Sequence, residues 1–328
     1  MSDTPTFTLS DGKKVPAVGF GGMQYGLLLP PQDKPKVTTI LLNALHSGHR
    51  LFDTCKIYQT ESLLGDAIRS SGIPREEITV ITKLAQAHHD DPAVSLRASL
   101  DALGVGYVDI FLMHWPSHPG EGGGWSGIDD SPTFVETWRK MEGLVGPECR
   151  SIGVCNMSQK LLDVLLKECT VKPVVNQVEV HPFRPSLRLV EYCQERGIQV
   201  MAWGPLCGGP KSLYLDAAPL YNHPVLTALS SRYHTSIGGV IISWLVRRGI
   251  LPIPHSSSPQ RMAENLRPVP LTDEEVQQIN RLHEEIGEKR LIDAAPGVWG
   301  ETEGKGRTLM GFTLQEMGWE DEEGRVLV

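Results

Sequence analysis

Short apolar runs alternate along this chain with longer stretches in which apolar residues recur every three or four positions. Short runs of this kind are typical of strands buried on both faces, whereas the longer spacing is typical of amphipathic helices. The predicted strands lie at 17–21, 50–53, 79–84, 107–114, 150–154, 173–178, 198–203 and 250–253. The predicted helices lie at 36–47, 60–70, 92–103, 133–145, 158–168, 186–196, 224–233, 237–248 and 273–285.

The regular alternation of strands and helices predicts a parallel α/β fold. Each helix serves as the crossover between two parallel strands, and eight such units predict a closed (β/α)8 barrel of the TIM type. A doubly wound open sheet is the alternative, but it requires a Gly-rich turn that joins a strand directly to a helix. The glycines that match that spacing, Gly122, Gly124 and Gly127, stand well beyond a strand, and no helix follows them at once. The barrel is therefore the predicted fold.

Two kinds of feature are predicted outside the repeating units. Phe7 to Val15 alternates in polarity around Asp11-Gly12, which indicates an N-terminal β-hairpin. The segments 116–132 and 207–222 are rich in Gly and Pro and are expected to be long loops at the mouth of the barrel.

Length and composition indicate one domain. A chain of 328 residues with 40% hydrophobic content suits a barrel that folds as a single unit. We assign one domain to 1–328, with the barrel at about 6–285. Periodicity fades over 287–328, and we expect an extended tail that packs around the barrel there.

Charge and cysteine usage exclude several kinds of partner. The net charge of −8 argues against nucleic acid, which requires a basic surface. No apolar run approaches the ~18 residues that a membrane span needs, and the N-terminus lacks the features of a signal peptide. The six cysteines form no Cys-x-x-Cys pair, so we expect reduced thiols, a cytoplasmic location and no metal site. The oligomeric state stays open between a monomer and a weak dimer.

Ionisable residues end three consecutive predicted strands. Asp53, Lys83 and His114 hold these positions, and Tyr58 follows Asp53 by five residues. The carboxyl ends of barrel strands converge on one mouth, so we expect these four side chains to be neighbours. A carboxylate, an amine, an imidazole and a phenol at one mouth form a proton-transfer site.

Seven segments, in order along the chain, resemble the aldo-keto reductase family. They are Gly48 to Glu61, Ile81 to Leu84, Leu112 to Pro116, Ser151 to Asn156, Asn176 to Pro182, Ala202 to Leu206, and Ile253 to Asn265. Each match is weak alone, but seven in register are a strong signal. The resemblance implies an enzyme that reduces aldehydes or ketones to alcohols with NADPH, or catalyses the reverse oxidation. NADP(H) is the preferred cofactor on this basis, with NAD(H) binding more weakly.

The resemblance also implies a role for each residue at the mouth. Tyr58 is expected to be the general acid, Lys83 to lower its pKa, Asp53 to pair with Lys83, and His114 to orient the carbonyl. A phenol with a pKa near 10 needs about 4 kcal/mol to titrate at neutral pH. An ammonium at ~4 Å supplies about that much at an effective dielectric constant of ~20. The substrate is expected to contact Tyr58 and His114, together with Trp115 and Met23.

The cofactor residues implied by the resemblance fall into three groups. The nicotinamide end is expected at Gly22, Met23, Asp53, Cys155, Asn156, Gln177 and Trp203. The pyrophosphate is expected at the backbone of Gly204, Pro205, Leu206 and Gly208. The adenosine 2′-phosphate and adenine are expected at His255, Ser256, Ser257, Arg261, Glu264 and Asn265.

Two residues depart from the family pattern. Met23 stands where many members have Trp, which predicts a mouth that is more open to bulky carbonyl compounds. His255 stands where Lys is common beside the 2′-phosphate. Because an imidazole is charged only near or below pH 6.5, we expect a smaller preference for NADPH that grows at low pH.

Two other functions compete with the reductase. One is a reductase-like subunit that binds NADP(H) and acts through a partner protein, although the intact set of four catalytic residues argues mildly against it. The other is a metal-dependent barrel hydrolase, which would need more His or carboxylate ligands at the mouth than the sequence offers. We therefore predict a small carbonyl substrate, with neither nucleic acid nor a membrane as a partner.

Overall fold

The computed structural model describes residues 5–22, 31–120, 124–210, 212, 214–295, 297–302, 304–321 and 323. Its strands are β1 (Thr6–Thr8), β2 (Lys14–Pro16), β3 (Phe20–Gly21), β4 (Leu51–Asp53), β5 (Thr79–Leu84), β6 (Ile110–Met113), β7 (Ile152–Cys155), β8 (Val175–Glu179), β9 (Gln199–Trp203), β10 (Leu251–Pro252), β11 (Trp299–Thr302) and β12 (Gly306–Leu309). Its helices are α1 (Lys34–His46), α2 (Glu61–Ser71), α3 (Pro92–Leu103), α4 (Phe134–Glu142), α5 (Gln159–Glu168), α6 (Leu187–Glu195), α7 (Ala218–Tyr221), α8 (Pro224–Tyr233), α9 (Ile237–Arg247), α10 (Pro259–Asn265), α11 (Asp273–Asn280) and α12 (Leu282–Ile286).

Strands β3 to β10 form an eight-stranded sheet in sequence order. Every neighbouring pair in it is parallel. Backbone hydrogen bonds join the two edges, from Gly19 N to Pro252 O at 2.9 Å and from Gly21 N to Pro254 O at 3.0 Å. The sheet is therefore closed, and the predicted (β/α)8 barrel is confirmed.

The strands alternate between two apolar layers because successive side chains of a strand point to opposite faces. Leu51 belongs to a cluster inside the barrel, whereas Phe52 packs in the layer between the strands and the surrounding helices. The inner cluster also contains Leu9 and Val15 from the N-terminal hairpin. Both faces of the strands are thus buried, as their continuous apolar runs predicted.

The predicted N-terminal hairpin is confirmed as β1 paired antiparallel with β2. Gly12 in its turn has φ +85°, a conformation that favours glycine. Lys13 fixes the hairpin to the start of β7, because its Nζ donates to Arg150 O at 2.9 Å and to Ser151 Oγ at 3.0 Å. The hairpin therefore covers the amino-terminal end of the barrel and leaves the carboxyl ends of the strands as the mouth.

Helices α7 and α10 and the tail strands β11 and β12 were not predicted. Helices α7 and α10 are too short to show helical periodicity, although Ser258 and Pro259 are ordinary start signals for α10. In the tail, β11 and β12 form a hairpin rather than a purely extended segment.

The tail runs across the mouth. Gln86 Nε2 donates to Met310 Sδ at 3.2 Å, and Lys160 Nζ donates to Gln315 O at 2.9 Å. None of the helices in the described residues is long and apolar enough to cross a membrane.

Candidate active site

A buried ion pair lies at the centre of the mouth. Lys83 Nζ is 2.7 Å from Asp53 Oδ1 and 2.6 Å from Asp53 Oδ2, and it also donates to Thr54 O at 3.2 Å. The side chains of Lys83 and Asp53 are 1% and 7% exposed. Burial alone lowers the pKa of a lysine, but the charge of Asp53 and the neighbouring Tyr58 raise the pKa of Lys83 overall. Lys83 is therefore a permanent cation at neutral pH.

Tyr58 lies beside this ion pair, as its sequence position predicted. It ends a single 3₁₀ turn, Lys56–Tyr58, that follows β4. Lys83 Nζ is 5.0 Å from the centroid of the Tyr58 ring. The His114 ring lies edge-on to the phenol, with the two ring centroids 6.1 Å apart and the planes at 88°. The structure thus brings Asp53, Tyr58, Lys83 and His114 together.

The pKa of Tyr58 differs from the expectation. Burial raises it well above 10, and the opposing effect of Lys83 is smaller. The ~4 kcal/mol expected from the sequence is that of an unpaired ammonium, whereas both carboxylate oxygens of Asp53 neutralise Lys83 at close range. The phenol therefore keeps its proton throughout the neutral range, which is the form required of a general acid.

His114 is uncharged at neutral pH. Burial lowers its pKa well below 6.5, and the charge of Lys83 acts in the same direction. A neutral imidazole can form a hydrogen bond with a carbonyl oxygen, but it carries no spare proton to give. Of the two rings at this site, the phenol is therefore the better acid.

Two side-chain amides lie at the mouth, one bonded to the ion pair and the other to His114 and Trp203. Gln177 Nε2 donates to Asp53 Oδ1 at 2.9 Å. Asn156 Nδ2 donates to His114 O at 3.0 Å, and its Oδ1 accepts from Trp203 Nε1 at 3.0 Å. Asn156 has φ +58°, so it occupies the left-handed region at the end of β7. These bonds fix both amides and hold the Trp203 indole, which is half-buried, against Asn156.

Smaller residues complete the nicotinamide end of the predicted site. Gly22 N donates to Asp53 O at 2.7 Å, and a Cβ on Gly22 would come within 2.7 Å of that same oxygen. Any side chain at position 22 would collide with the Asp53 carbonyl oxygen, so only glycine fits there. Cys155 is 1% exposed, and burial raises its thiol pKa, so it stays protonated. Trp115 is 5% exposed and packs in the outer apolar layer, and Met23 lies outside the described residues.

The predicted pyrophosphate segment is a tight turn after β9. Gly204, Cys207, Gly208 and Gly209 all have positive φ. Cys207 N donates to Gly204 O at 3.0 Å, and Gly209 N donates to Leu206 O at 2.8 Å. The N–H groups of Leu206 and Gly208 have no acceptor among the described residues. Pro205 in the same turn is buried.

The remaining predicted cofactor residues lie around α10, beside β3. His255 Nδ1 donates to Gly21 O at 2.8 Å, and its ring centroid is 5.4 Å from that of Phe20. Ser256 Oγ accepts from Ser258 N at 3.1 Å. Ser257 and Arg261 are exposed, whereas Asn265 is buried.

The Glu264 carboxylate already accepts hydrogen bonds from within the protein. It accepts hydrogen bonds from Thr235 Oγ1 at 2.9 Å and from Ser236 N at 2.5 Å, so it caps the start of α9. The sequence did not predict this role.

Four polar residues around Tyr58 were also missed by the sequence analysis. Thr54, Thr60, Glu61 and Thr82 are all buried and form two side-chain hydrogen bonds. One signal was available: Thr54 and Thr60 flank the Tyr58 segment symmetrically.

In the part of the chain that the structure describes, no group of three or more His, Cys, Asp or Glu side chains is arranged to hold a metal ion. The hydrolase alternative therefore has no ligand set among these residues.

The family model described as "Aldo/keto reductase family" matches residues 17–284. The chain belongs to this family. It is 35% identical over 307 residues to glycerol 2-dehydrogenase (NADP(+)) of Saccharomyces cerevisiae, with 88% of this chain and 94% of the relative covered. It is 33% identical over 270 residues to methylglyoxal reductase DkgA of Escherichia coli O157:H7, with 81% and 88% covered.

The solved structures agree with this assignment. The crystal structure of a Bombyx mori aldo-keto reductase (AKR2E4) in complex with NADP matches with a TM-score of 0.77 and 32% identity, over 86% of this chain and 94% of that one. The predicted family, fold class and oxidoreductase activity are therefore confirmed, and this protein is an enzyme.

Proposed function

We propose that this aldo-keto reductase reduces small aldehydes or ketones with NADPH, and that Tyr58 protonates the carbonyl oxygen. The observation that carries this proposal is the arrangement of a protonated phenol and a neutral imidazole around the buried Lys83–Asp53 ion pair. The regulatory-subunit alternative has no support in the comparisons. The predicted cofactor, NADP(H), is confirmed by the relatives and by solved structures with NADP or NADPH.

The residues of this chain fit that cofactor. The Trp203 face is half-exposed and Gln177 keeps its carbonyl oxygen available for a carboxamide. The free N–H groups of Leu206 and Gly208 point to an anion such as a pyrophosphate. Arg261 is exposed and makes no side-chain hydrogen bond or ion pair with a described residue, so its guanidinium can bind a phosphate in a bidentate manner.

The bound nicotinamide supplies the hydride, and the protein supplies position and electrostatics. Hydride addition leaves negative charge on the carbonyl oxygen, and a hydrogen-bond donor held at that oxygen stabilises the charge. Tyr58 donates its proton to the same oxygen. His114 holds the oxygen by a hydrogen bond without competing for the proton, because its imidazole is neutral. Asp53 keeps Lys83 in place.

A small carbonyl compound is the substrate class that we infer. Two of the relatives are a glycerol 2-dehydrogenase and a methylglyoxal reductase, and glycerol and methylglyoxal are both small molecules. The tail also contacts the segment after β5, the strand that carries Lys83, through the bond from Gln86 to Met310. We also place the enzyme in the cytoplasm, because all six cysteines are free thiols, as a reducing compartment would keep them.

Replacement of Tyr58 by Phe tests the proposal. Because general acid catalysis is worth ~10²–10⁴-fold, Tyr58→Phe should lower kcat for aldehyde reduction by that factor, while Kd for NADPH changes little. Tyr107→Phe is the matched control, since Tyr107 lies before β6 at the opposite end of the barrel and its buried hydroxyl has no partner among the described residues. Near-wild-type turnover in Tyr58→Phe would rule out this acid. Wild-type protein that binds NADPH but reduces no aldehyde would favour the regulatory subunit.

A further inference from the structure

The turn that carries Tyr58 is short and poorly held by its own backbone. It consists of one 3₁₀ turn with two backbone bonds, from Tyr58 N to Cys55 O and from Gln59 N to Lys56 O, each at 3.1 Å. A single turn of helix is unstable in isolation. Lys56, Ile57 and Gln59 are exposed, so little packing holds the turn from outside.

The phenol itself does not anchor the turn. Among the described residues, the Tyr58 hydroxyl has no hydrogen-bond partner, and the ring contacts are with Lys83 and His114. The distance between the phenol and Lys83 must therefore be set by the residues on either side of the turn.

A hydroxyl pair closes the base of the turn. Thr54 Oγ1 and Thr60 Oγ1 are 2.9 Å apart, and the two residues are 1% and 2% exposed. Thr60 is the N-cap residue of α2, a position where threonine normally caps the helix with its side chain. Here it makes no cap hydrogen bond, and its hydroxyl binds Thr54 instead. The Thr60 hydroxyl therefore closes the turn and does not stabilise the start of α2.

A second buried bond fixes the end of the turn to the strand that carries Lys83. Thr82 Oγ1 donates to Glu61 Oε1 at 2.7 Å, and these residues are 0% and 5% exposed. Glu61 is the first residue of α2, three positions after Tyr58. Thr82 precedes Lys83 on β5, and neighbouring side chains of a strand point to opposite faces. Lys83 therefore points into the mouth while Thr82 holds the start of α2 behind it.

We propose that Glu61 and Thr82, together with the Thr54–Thr60 hydroxyl pair, are positioning residues that hold Tyr58 at its working distance from Lys83. This inference rests on the proposed role of Tyr58 and extends it. None of the four residues touches the reacting atoms. They act through Tyr58, because each tie joins one end of its turn to a strand or helix that the barrel keeps rigid. A displacement of about 1 Å at a reacting group can cost ~10²-fold in rate, so such ties are enough to control turnover.

Removal of the Thr82 hydroxyl is the direct test. Thr82→Val keeps the shape of the side chain but loses the bond to Glu61, and it should lower kcat by about tenfold or more with Kd for NADPH unchanged within about twofold. Thr82→Ser and Glu61→Gln retain a donor and an acceptor, and they should restore kcat to within about threefold of wild type. Thr60→Val and Thr54→Val should each lower kcat in the same way.

The matched control is Thr137→Val on α4. Thr137 is also 0% exposed, and its hydroxyl bonds to His89 O at 3.2 Å, far along the chain from the Tyr58 turn. This variant should lose thermal stability as Thr82→Val does but keep kcat. If Thr82→Val and Thr137→Val lowered Tm equally and both kept kcat, the Glu61–Thr82 bond would be purely structural and the proposal would be wrong.

A double substitution separates this proposal from the role of Tyr58. If the bond acts by placing the phenol, Thr82→Val should cost almost nothing further in a Tyr58→Phe background, because no acid is left to misplace. A full additional tenfold loss there would show that Thr82 acts elsewhere. If Tyr58→Phe alone kept its activity, the proposed function would fail, whatever Thr82→Val does.

Discussion

His255 is the residue that we expect beside the adenosine 2′-phosphate, and its ring packs against Phe20. Nδ1 donates to Gly21 O, so in the neutral ring Nε2 carries a lone pair. That Nε2 is buried and has no partner among the described residues. Burial lowers the pKa of His255 below 6.5. A phosphate oxygen can therefore accept a hydrogen bond from Nε2 only after the ring takes up a proton.

We accordingly expect the preference for NADPH over NADH to be linked to pH. A bound phosphate raises the pKa of His255, so the Kd ratio should favour NADPH increasingly as pH falls through that value and should flatten at higher pH. Protonation of the phosphate near pH 6 will blunt the effect at the acid end. Measurement of both Kd values from pH 5.5 to 8.5 checks this. His255→Lys is the comparison, and its preference for NADPH over NADH should be larger and depend less on pH. If the wild-type preference did not change with pH, Arg261 alone would recognise the phosphate.

The meeting of Asp53, Lys83 and His114 was predictable because barrel topology alone brings strand ends together. The net charge that acts on Tyr58 at that point could not be predicted from the sequence. The pKa of Tyr58 depends on its burial and on how closely Asp53 pairs with Lys83, and neither can be read from spacing along the chain. The roles of Thr60 and Glu61 could not be predicted either, because their hydrogen-bond partners, Thr54 and Thr82, are distant along the chain or across a turn. A threonine directly before a helix is also expected to be an ordinary N-cap.

At the scale of elements, the pattern of apolar residues predicted those strands and helices in which the pattern is pronounced. The eight barrel strands lie close to their predicted positions because each belongs to a continuous apolar run. Helices α1 to α6 do so because each spans at least two turns of the helical apolar spacing. The tail hairpin β11–β12 was missed because each of its strands contains a single large apolar residue, Trp299 in one and Leu309 in the other, and so shows no apolar run. Its position depends on contacts with the mouth loops, which no local signal reports.

The contact between the tail and the loop after β6 depends on Gly311. This residue has φ +85°, and a Cβ there would lie 2.9 Å from Trp125 Cβ and even closer to Ser126 O. Gly311→Ala should therefore lower the free energy of unfolding by about 1–3 kcal/mol and raise KM for carbonyl substrates as the tail moves from the mouth. Gly306→Ala is the matched control, since its φ is +71° but nothing lies within 4 Å. Equal effects of the two substitutions would mean that backbone strain, rather than the contact with the loop, decides the result.

At the scale of the whole molecule, the two ends of the barrel carry different kinds of side chain. The hairpin β1–β2 covers the amino-terminal end with apolar side chains such as Leu9 and Val15. The carboxyl end collects the buried charges, where Lys83 and Asp53 stabilise each other. This division is expected of a barrel enzyme, in which loops at the carboxyl ends carry the chemistry and the other end carries stability.

Buried histidines outside the active site should make the enzyme sensitive to acid. Burial lowers the pKa of His49 to about 4 and that of His89 to about 3, whereas both titrate near 6.5 in an unfolded chain. Because the folded state binds the proton less well, the stability that each neutral ring contributes is complete above pH 6.5. It is lost as pH falls toward 4 for His49 and toward 3 for His89, on the order of 3 kcal/mol or more for each.

Urea unfolding between pH 4.5 and 7.5 measures this loss. In His89→Gln the fall in unfolding free energy with decreasing pH should be shallower than in the wild type by about 1.4 kcal/mol per pH unit below pH 6, because one proton fewer is taken up on unfolding. His46→Gln, at an exposed position on α1, should leave the wild-type slope unchanged. If His89→Gln kept the full wild-type slope, the neutral His89 ring would not be a source of the acid sensitivity, and the lowered carboxylate pKa values of residues such as Glu264 and Glu275 would have to account for it.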